Sequence, residues 1–396
     1  MGWRLIIFMV VMPLLWLALH LYLDRRLVKH GALPLRARRG LRVLIVACAV
    51  VPVVTMTLGR AGLGDASLRP LWLLGFGLLG LSSIALVLQL GVDLVRLGRR
   101  GVLRLRRQQA ADAPLDPARR GFFGQLANLG VVGTATGVAG FGFLQAHATP
   151  KVVRTQVPIA GLPRALQGLR IAQMTDIHVG PTIKREYLQR CVDACNAEGA
   201  DIIAVTGDLI DGFVAQLRDE VAPLQQLRAP EGVYFVTGNH EYYWDGLAWC
   251  DEVARLGMRV LNNEHVVIER DGATLLLAGV TDISAGQMVA AHRSDPARAR
   301  AGAPACDVSV LLAHQPRSVF AAAAAGYDLQ ISGHTHGGQY FPMNLLVYLA
   351  QPYVAGLAKH EATWIYVSRG TGYWGPPMRA GAPAEITVLE LVAAPA

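Results

Sequence analysis

The sequence has 396 residues, 53% of them hydrophobic and 17% charged, with a formal net charge of +8. That is enough chain for two or three domains and is more apolar than an ordinary soluble enzyme. The basic excess carries no stripe of cations interleaved with aromatics, which excludes a nucleic-acid binder, and five scattered cysteines exclude a disulfide framework.

The charge is unevenly placed. Residues 1–150 hold 18 Lys/Arg and 5 Asp/Glu, a net of +13, whereas 151–396 hold 19 and 24, a net of −5. Four apolar runs fall in the first part, at 5–23, 43–59, 70–92 and 122–146. About 20 apolar residues cross the hydrocarbon core as a helix, so 1–150 reads as a membrane domain of four spans. The last run is the weakest, being rich in Gly and Ala; its Gly133-x-x-x-Gly137 spacing would let another helix approach.

The basic loops orient these spans. Arg25, Arg26, Lys29, Arg36, Arg38, Arg39 and Arg42 follow the first; Arg96, Arg99, Arg100, Arg104, Arg106, Arg107, Arg119 and Arg120 follow the third. Such loops stay cytoplasmic. A multi-pass protein of the cytoplasmic (inner) membrane results, with everything after the fourth span outside the cytoplasm. Arg119-Arg120-Gly121-Phe122-Phe123, an apolar run and Ala146-His147-Ala148 also read as a twin-arginine-like export signal with a cleavage site, against the plainer reading of a basic helix flank.

From 151 onward short apolar runs alternate with amphipathic ones. Strands are expected at 169–174, 202–206, 233–236, 266–268, 274–278, 308–313, 327–331, 364–368 and 386–391, with helices at 185–197, 214–227, 247–256 and 318–325. Cys191 and Cys195 share a face of the first of these helices and read as small buried side chains. Residues 281–305 look like an inserted loop. The fold class is α/β (α+β), sheets covered by helices.

Chemistry-bearing residues cluster just past five of the strands: Asp176 and His178; Asp208 and Asp211; Asn239, His240 and Glu241; His314; and His334 and His336 in Gly333-His334-Thr335-His336-Gly337-Gly338. Loops at the carboxyl ends of strands can share one rim. Asp176, His178, Asp208, Asn239, His314, His334 and His336 supply two carboxylates, one amide and four imidazoles. This N/O set without thiolate suits Zn, Mn, Fe or Co. Seven donors exceed one tetrahedral site but serve two divalent ions that share a carboxylate, an arrangement that binds phosphoryl oxygens and acidifies a water.

Asp-x-His, Gly-Asp-x-x-Asp, Gly-Asn-His-Glu, a later His and Gly-His-Thr-His together resemble the calcineurin-like metallophosphoesterase superfamily over about 169–391. Gly-His-Thr-His-Gly-Gly-Gln, Ser368-Arg369-Gly370 and the terminal strand are similar to its bacterial membrane-associated branch. The resemblance implies a two-sheet β-sandwich flanked by helices in 151–396. It implies one ion on Asp176, His178, Asp208 and His336, and a second on Asp208, Asn239, His314 and His334. It also implies phosphoester hydrolysis by a hydroxide shared between the ions. His240 would protonate the leaving oxygen, Asp211 would orient neighbouring groups and Glu241 would support His240.

A substrate carrying a lipid would suit Tyr242, Tyr243, Trp244, Tyr340, Phe341, Tyr353, Tyr373 and Trp374, which gather near the rim as an apolar lip or else as core packing. A non-catalytic binding or scaffolding module is the alternative; it expects lost donors, and none is lost. A transporter expects charges inside the spans, and the four runs carry none.

Overall fold

The computed structural model describes residues 3–29, 33–60, 68–107 and 117–395; the side chains of 3–10, 59–60, 103–107, 117–118 and 120 lie outside the description. Part of the first expected span, the loop near Asp65 and several of the basic residues before Arg120 are therefore outside it. The chain falls into two compact units: Met1–Phe143 with Gly375–Met378, and Leu144–Trp374 with Arg379–Ala396.

Among its described residues the first unit has four α-helices, α1 (Trp3–Leu23), α2 (Leu35–Arg60), α3 (Arg69–Arg107) and α4 (Pro117–His147), with a π-helical turn over Asp24–Lys29 following α1. Among the described residues three are long and apolar enough to cross a membrane, over Leu35–Leu58, Arg69–Val102 and Gly121–His147. The expected span 5–23 corresponds to α1, whose first side chains are not described. At 39 residues, α3 is about 58 Å long, well beyond the roughly 30 Å of hydrocarbon, and its excess is the basic tail. Leu23, Leu27, Ile45, Leu86 and Val131 pack together in this unit. Asp93 sits one residue past the expected third span, and its carboxylate is 2.7 Å from both Tyr22 Oη and Arg26 Nε. A Cβ at Gly133 or Gly137 would meet nothing within 4 Å, so no described element uses that small-residue face.

The second unit begins with β1 (Lys151–Ile159), β2 (Arg170–Met174), α5 (Arg185–Ala197), β3 (Ile202–Val205), α6 (Val214–Val221), β4 (Val233–Phe235), α7 (Asn239–Tyr243), α8 (Gly246–Arg255) and β5 (Arg259–Val260). It continues through β6 (Glu264–Arg270), β7 (Ala273–Gly279), α9 (Pro296–Arg300), β8 (Val308–Leu312), α10 (Val319–Ala324), β9 (Leu329–Ser332), α11 (Met343–Leu346), β10 (Gly356–His360), β11 (Thr363–Val367) and β12 (Glu385–Ala393).

These strands form two six-stranded sheets, ordered β1-β12-β2-β3-β4-β5 and β10-β11-β9-β8-β7-β6. Strand alternation explains the layering, since successive side chains point to opposite faces. Ile171, Ile202 and Ala204 of one sheet join Leu275, Leu277, Val310, Leu312, Leu329 and Ile331 of the other in a single buried cluster. The intervening Ala172, Met174, Ile203 and Val205 face the other way, onto Leu188, Cys191, Val192, Cys195, Leu217, Trp249 and Val253 of α5, α6 and α8. On the far side Leu276, Ala278 and Leu311 pack on Ala299 and Ala322. The result is the expected two-sheet sandwich with helices outside.

Topology fixes where chemistry can collect. β2, β3, β4 and β5 run parallel in one sheet, and β7, β8, β9 and β11 in the other. All their carboxyl ends therefore lie on one edge of each sheet. The two edges are stitched to each other: Gln173 Nε2 donates to Ser332 O at 2.9 Å and Thr371 N to Thr175 O at 2.7 Å.

Candidate metal centre

The five motif loops meet at that edge. Asp176 and His178 follow β2, Asp208 follows β3, Asn239 and His240 open α7, His314 follows β8, and His334 and His336 follow β9. Three donor groups result, each with ligand atoms within 4.8 Å of one another: Asp176, His178 and His336; Asp208, His314 and His334; and His178, Asp208 and His240. Asp208 belongs to two of them. The third group puts His240, which the resemblance leaves outside the ligand set, within donor reach.

The lone pairs face one another. His178 Nε2 lies 3.1 Å from His336 Nε2, and His314 Nε2 lies 3.2 Å from His334 Nδ1 and 3.1 Å from Asp208 Oδ2. His336 Nε2 is 3.5 Å from Asp176 Oδ1. His314 Nδ1 donates to Thr206 O at 2.8 Å, which leaves Nε2 as the lone-pair nitrogen turned toward Asp208. Asn239 Oδ1 is buried with no hydrogen-bond partner; a buried amide oxygen left unpaired costs about 1–3 kcal/mol, and a cation would satisfy it. Donor types, convergence and this orphaned oxygen all fit a pair of divalent ions.

The backbone is bent to aim these groups. Asp176, His178, Asp208, His334 and His336 have positive φ, between 50° and 71°. Each such non-glycine residue stores of order 1–3 kcal/mol unless its surroundings over-determine it. They do: Asp176 N donates to Gly207 O, His178 N to Asp208 O, and His334 N to both oxygens of Asp176 at 2.9 Å. Two glycines give the carboxylates room. A Cβ at Gly333 would strike Asp176 Oδ2 and Thr175 Oγ1, and one at Gly238 would strike Asp208 Oδ1.

Around the donors lies a second set of contacts. Asp211 reaches both His240 Nδ1, at 2.5 Å, and His178 Nδ1, at 3.2 Å. Burial works against charge on both members of the first pair. Even so, Asp208 and Asp211 raise His240 to about 9, and the two imidazoles hold Asp211 down at about 2. Glu241, expected to support His240, is among the negative charges that raise it and accepts hydrogen bonds from the backbone N–H of Asp208, Leu209 and Gly238 at 3.1, 2.7 and 2.6 Å. It props the Asp208 loop, and burial followed by the Asp208 charge raises it to about 7.

Arg379 is the participant that motif reading missed. Its side chain is fully buried and donates to the carbonyls of His336, Arg369, Gly372 and Ala382, while Nη2 lies 2.9 Å from His336 Nδ1. Burial lowers it only to about 10, so it remains a cation. A lone arginine in a Gly/Pro-rich loop gives no sequence signal. Asp282, also missed, is buried past β7 and accepts from Gln315 Nε2 at 3.0 Å, behind His314.

The aromatic set divides. Tyr242, Tyr340 and Tyr373 are buried packing. Tyr243 and Trp374 are 57% and 55% exposed and stand 5.1 and 5.5 Å from the His240 ring. Trp244, Phe341 and Tyr353 are half-buried. Arg317 donates to Ala350 O at 2.9 Å.

A family model described as calcineurin-like phosphoesterase matches residues 169–338. A "transmembrane protein with metallophosphoesterase domain" of Bos taurus is 42% identical over 265 residues, 64% of this chain and 60% of that protein. Its counterpart in Danio rerio is 38% identical over 303 residues, 74% of this chain and 68% of that one. An uncharacterized metallophosphoesterase of Helicobacter pylori is 34% identical over 278 residues, 70% of this chain and 73% of that one.

Proposed function

The chain belongs to the calcineurin-like metallophosphoesterase family, and from that premise we propose that it is a membrane-anchored hydrolase of phosphoester bonds working with two divalent ions. Asp176, His178, Asp208 and His336 would hold one ion. Asp208, Asn239, His314 and His334 would hold the other. The observation that carries this reading is Asp208, shared by two donor groups; the buried Asn239 Oδ1, which has no hydrogen-bond partner, supports it. Mn, Fe, Zn and Co all suit the donor set.

The chemistry supplied by two bound ions is Lewis-acid charge on the phosphoryl oxygens and an acidified water as nucleophile. The chain supplies the rest. His240 holds its proton through Asp211 and Asp208 and delivers it to the leaving oxygen, the ordinary task of a positioned imidazole. Asp211 fixes the His240 ring and so sets the direction of delivery. Tyr243 and Trp374 form an apolar lip beside His240, which supports substrates whose leaving side carries apolar matter, lipid-linked phosphoesters among them.

The unit carrying this site is proposed to lie outside the cytoplasm, on an inner membrane, as the basic loops direct. Purified full chain should contain about two divalent ions per polypeptide and should hydrolyse model monoesters, diesters or lipid phosphates in a metal-dependent way. A metal-free preparation with full turnover would end this reading.

A further inference from the structure

The loop that begins at His336 runs on to an apex whose apolar side chains find no cover. Met343, Leu345, Leu346, Tyr348 and Leu349 are 45%, 61%, 48%, 66% and 84% exposed, and no residue of this helical apex is buried. Monomeric soluble surfaces scatter single apolar residues; a run of this density marks a surface with a partner. Its base is firmly held. Thr335 Oγ1 donates to Val354 O at 2.6 Å, and Gln339 clasps the backbone of Trp374 through bonds of 3.0 and 2.9 Å. The exposed apex, the donor loop and the lip beside His240 are thus one connected piece.

We propose that the apex 343–349 docks into the headgroup region of a phospholipid bilayer, its leucines in the acyl boundary and Tyr348 at headgroup level. Three observations select a bilayer. Residues 333–360 contain no Asp or Glu, whereas the exposed Arg317 is bound to Ala350 O at the foot of the apex and Lys359 lies farther along the same stretch. Cations around an apolar tip complement anionic headgroups. Tyr with Leu is the composition favoured at that depth. And only residues 148–150 separate α4 from β1, so the chain that carries the apex is tethered to helices long enough to cross a membrane. A cleft of about 540 Å3 lies against the apex, lined by Phe320, Ala321, Tyr348 and Leu349 together with the polar Arg317 and Gln351, and offers room for part of a lipid.

The test uses the full chain in vesicles of phosphatidylcholine and phosphatidylglycerol. Cys250 and Cys306, the two native thiols that are not buried, are replaced by serine. A bimane label is placed at Leu345→Cys, at Leu349→Cys or at the exposed control Arg228→Cys. Lipids carrying a nitroxide on the acyl chain should quench the first two labels several-fold more than the third. Equal quenching at all three positions overturns the proposal. So does shielding of 345 and 349 that rises with protein concentration and is accompanied by cross-links between copies, which would assign the face to a second copy of the chain. Quenching does not depend on hydrolysis, so it stands or falls apart from the activity. Where hydrolysis is measured, Leu345→Ser with Leu349→Ser should lower turnover of vesicle-borne phosphoesters several-fold and leave that of a soluble aryl phosphate unchanged; equal loss on both would also count against docking.

Discussion

At the scale of single residues, the shared carboxylate is the point of greatest leverage. Asp208→Asn keeps the side-chain shape but removes the charge that two donor groups require. Bound metal should fall below one ion per chain, and turnover should fall by more than the 10- to 100-fold typical of changes behind the ligands. Metal analysis and rate measured on one preparation decide this; full occupancy with full turnover would refute bridging. His240→Gln should act differently. Both ions should remain, and turnover should drop by about 10²–10⁴-fold, most for esters with poor leaving groups, because only those need the proton. Loss of metal would instead place His240 among the ligands, a position its geometry permits. These residues were legible because Asp, Asn and His standing together past apolar runs have few structural reasons to recur. Arg379 was not, and of Glu241 the sequence showed its place at the site but not its bonds to the Asp208 loop. Their work is done on backbone groups, which no side-chain motif records, and Arg379 reaches a loop 43 positions away.

At the scale of elements, β3, β8 and β9 were legible because each is buried on both faces and reads as a continuous apolar run, whereas β5 is two residues long, one of them the exposed Arg259, and shows no run. β1 was not legible either: it is an edge strand in which Lys151, Arg154 and Gln156 are exposed and break any apolar run. The helix expected over 214–227 stops at Val221, because Pro223 forces the chain into a 3-10 turn. Short elements such as α7 and β10 carry too few residues to show a period. The donor loops themselves depend on backbone space. Gly333→Ala should push Asp176 off its hydrogen bonds to His334 N and lower stability by about 1–3 kcal/mol, the usual cost of overpacking. Metal content should fall with it; an unchanged melting curve with both ions retained would show that the loop can give. Arg379→Gln should cost more, at least about 3 kcal/mol, because several buried carbonyls lose a charged donor together. Thermal unfolding of the metal-free chain measures this without interference from ligand binding.

At the scale of the whole molecule, orientation turns on one helix rather than on the number of spans. The stretch from the end of α3 to the start of α4 holds Arg96, Arg99, Arg100, Arg104, Arg106, Arg107, Arg119 and Arg120 and, on the proposed topology, would stay cytoplasmic by its charge. If α4 crosses, the second unit is outside whether or not α1 also crosses. A reporter fused after Ala396 that matures only outside the cytoplasm should be active, and a cytoplasm-only reporter at the same site should be silent; the reverse pattern would invert the topology. The twin-arginine reading adds the question of release. The second unit begins at Leu144, inside α4, and Ala146 is fully buried in the cluster formed by Met174, Tyr187 and Tyr373. The His147 ring lies 5.7 Å from that of Tyr373. Cutting after Ala148 would take Ala146 and its neighbours out of a core the folded unit uses, which argues for retention of the helix end. A tag at the C-terminus should therefore report a full-size chain that stays with membranes after a carbonate wash. A shorter, soluble tagged species beginning at Thr149 would show instead that α4 is a leader and that the catalytic unit works unattached.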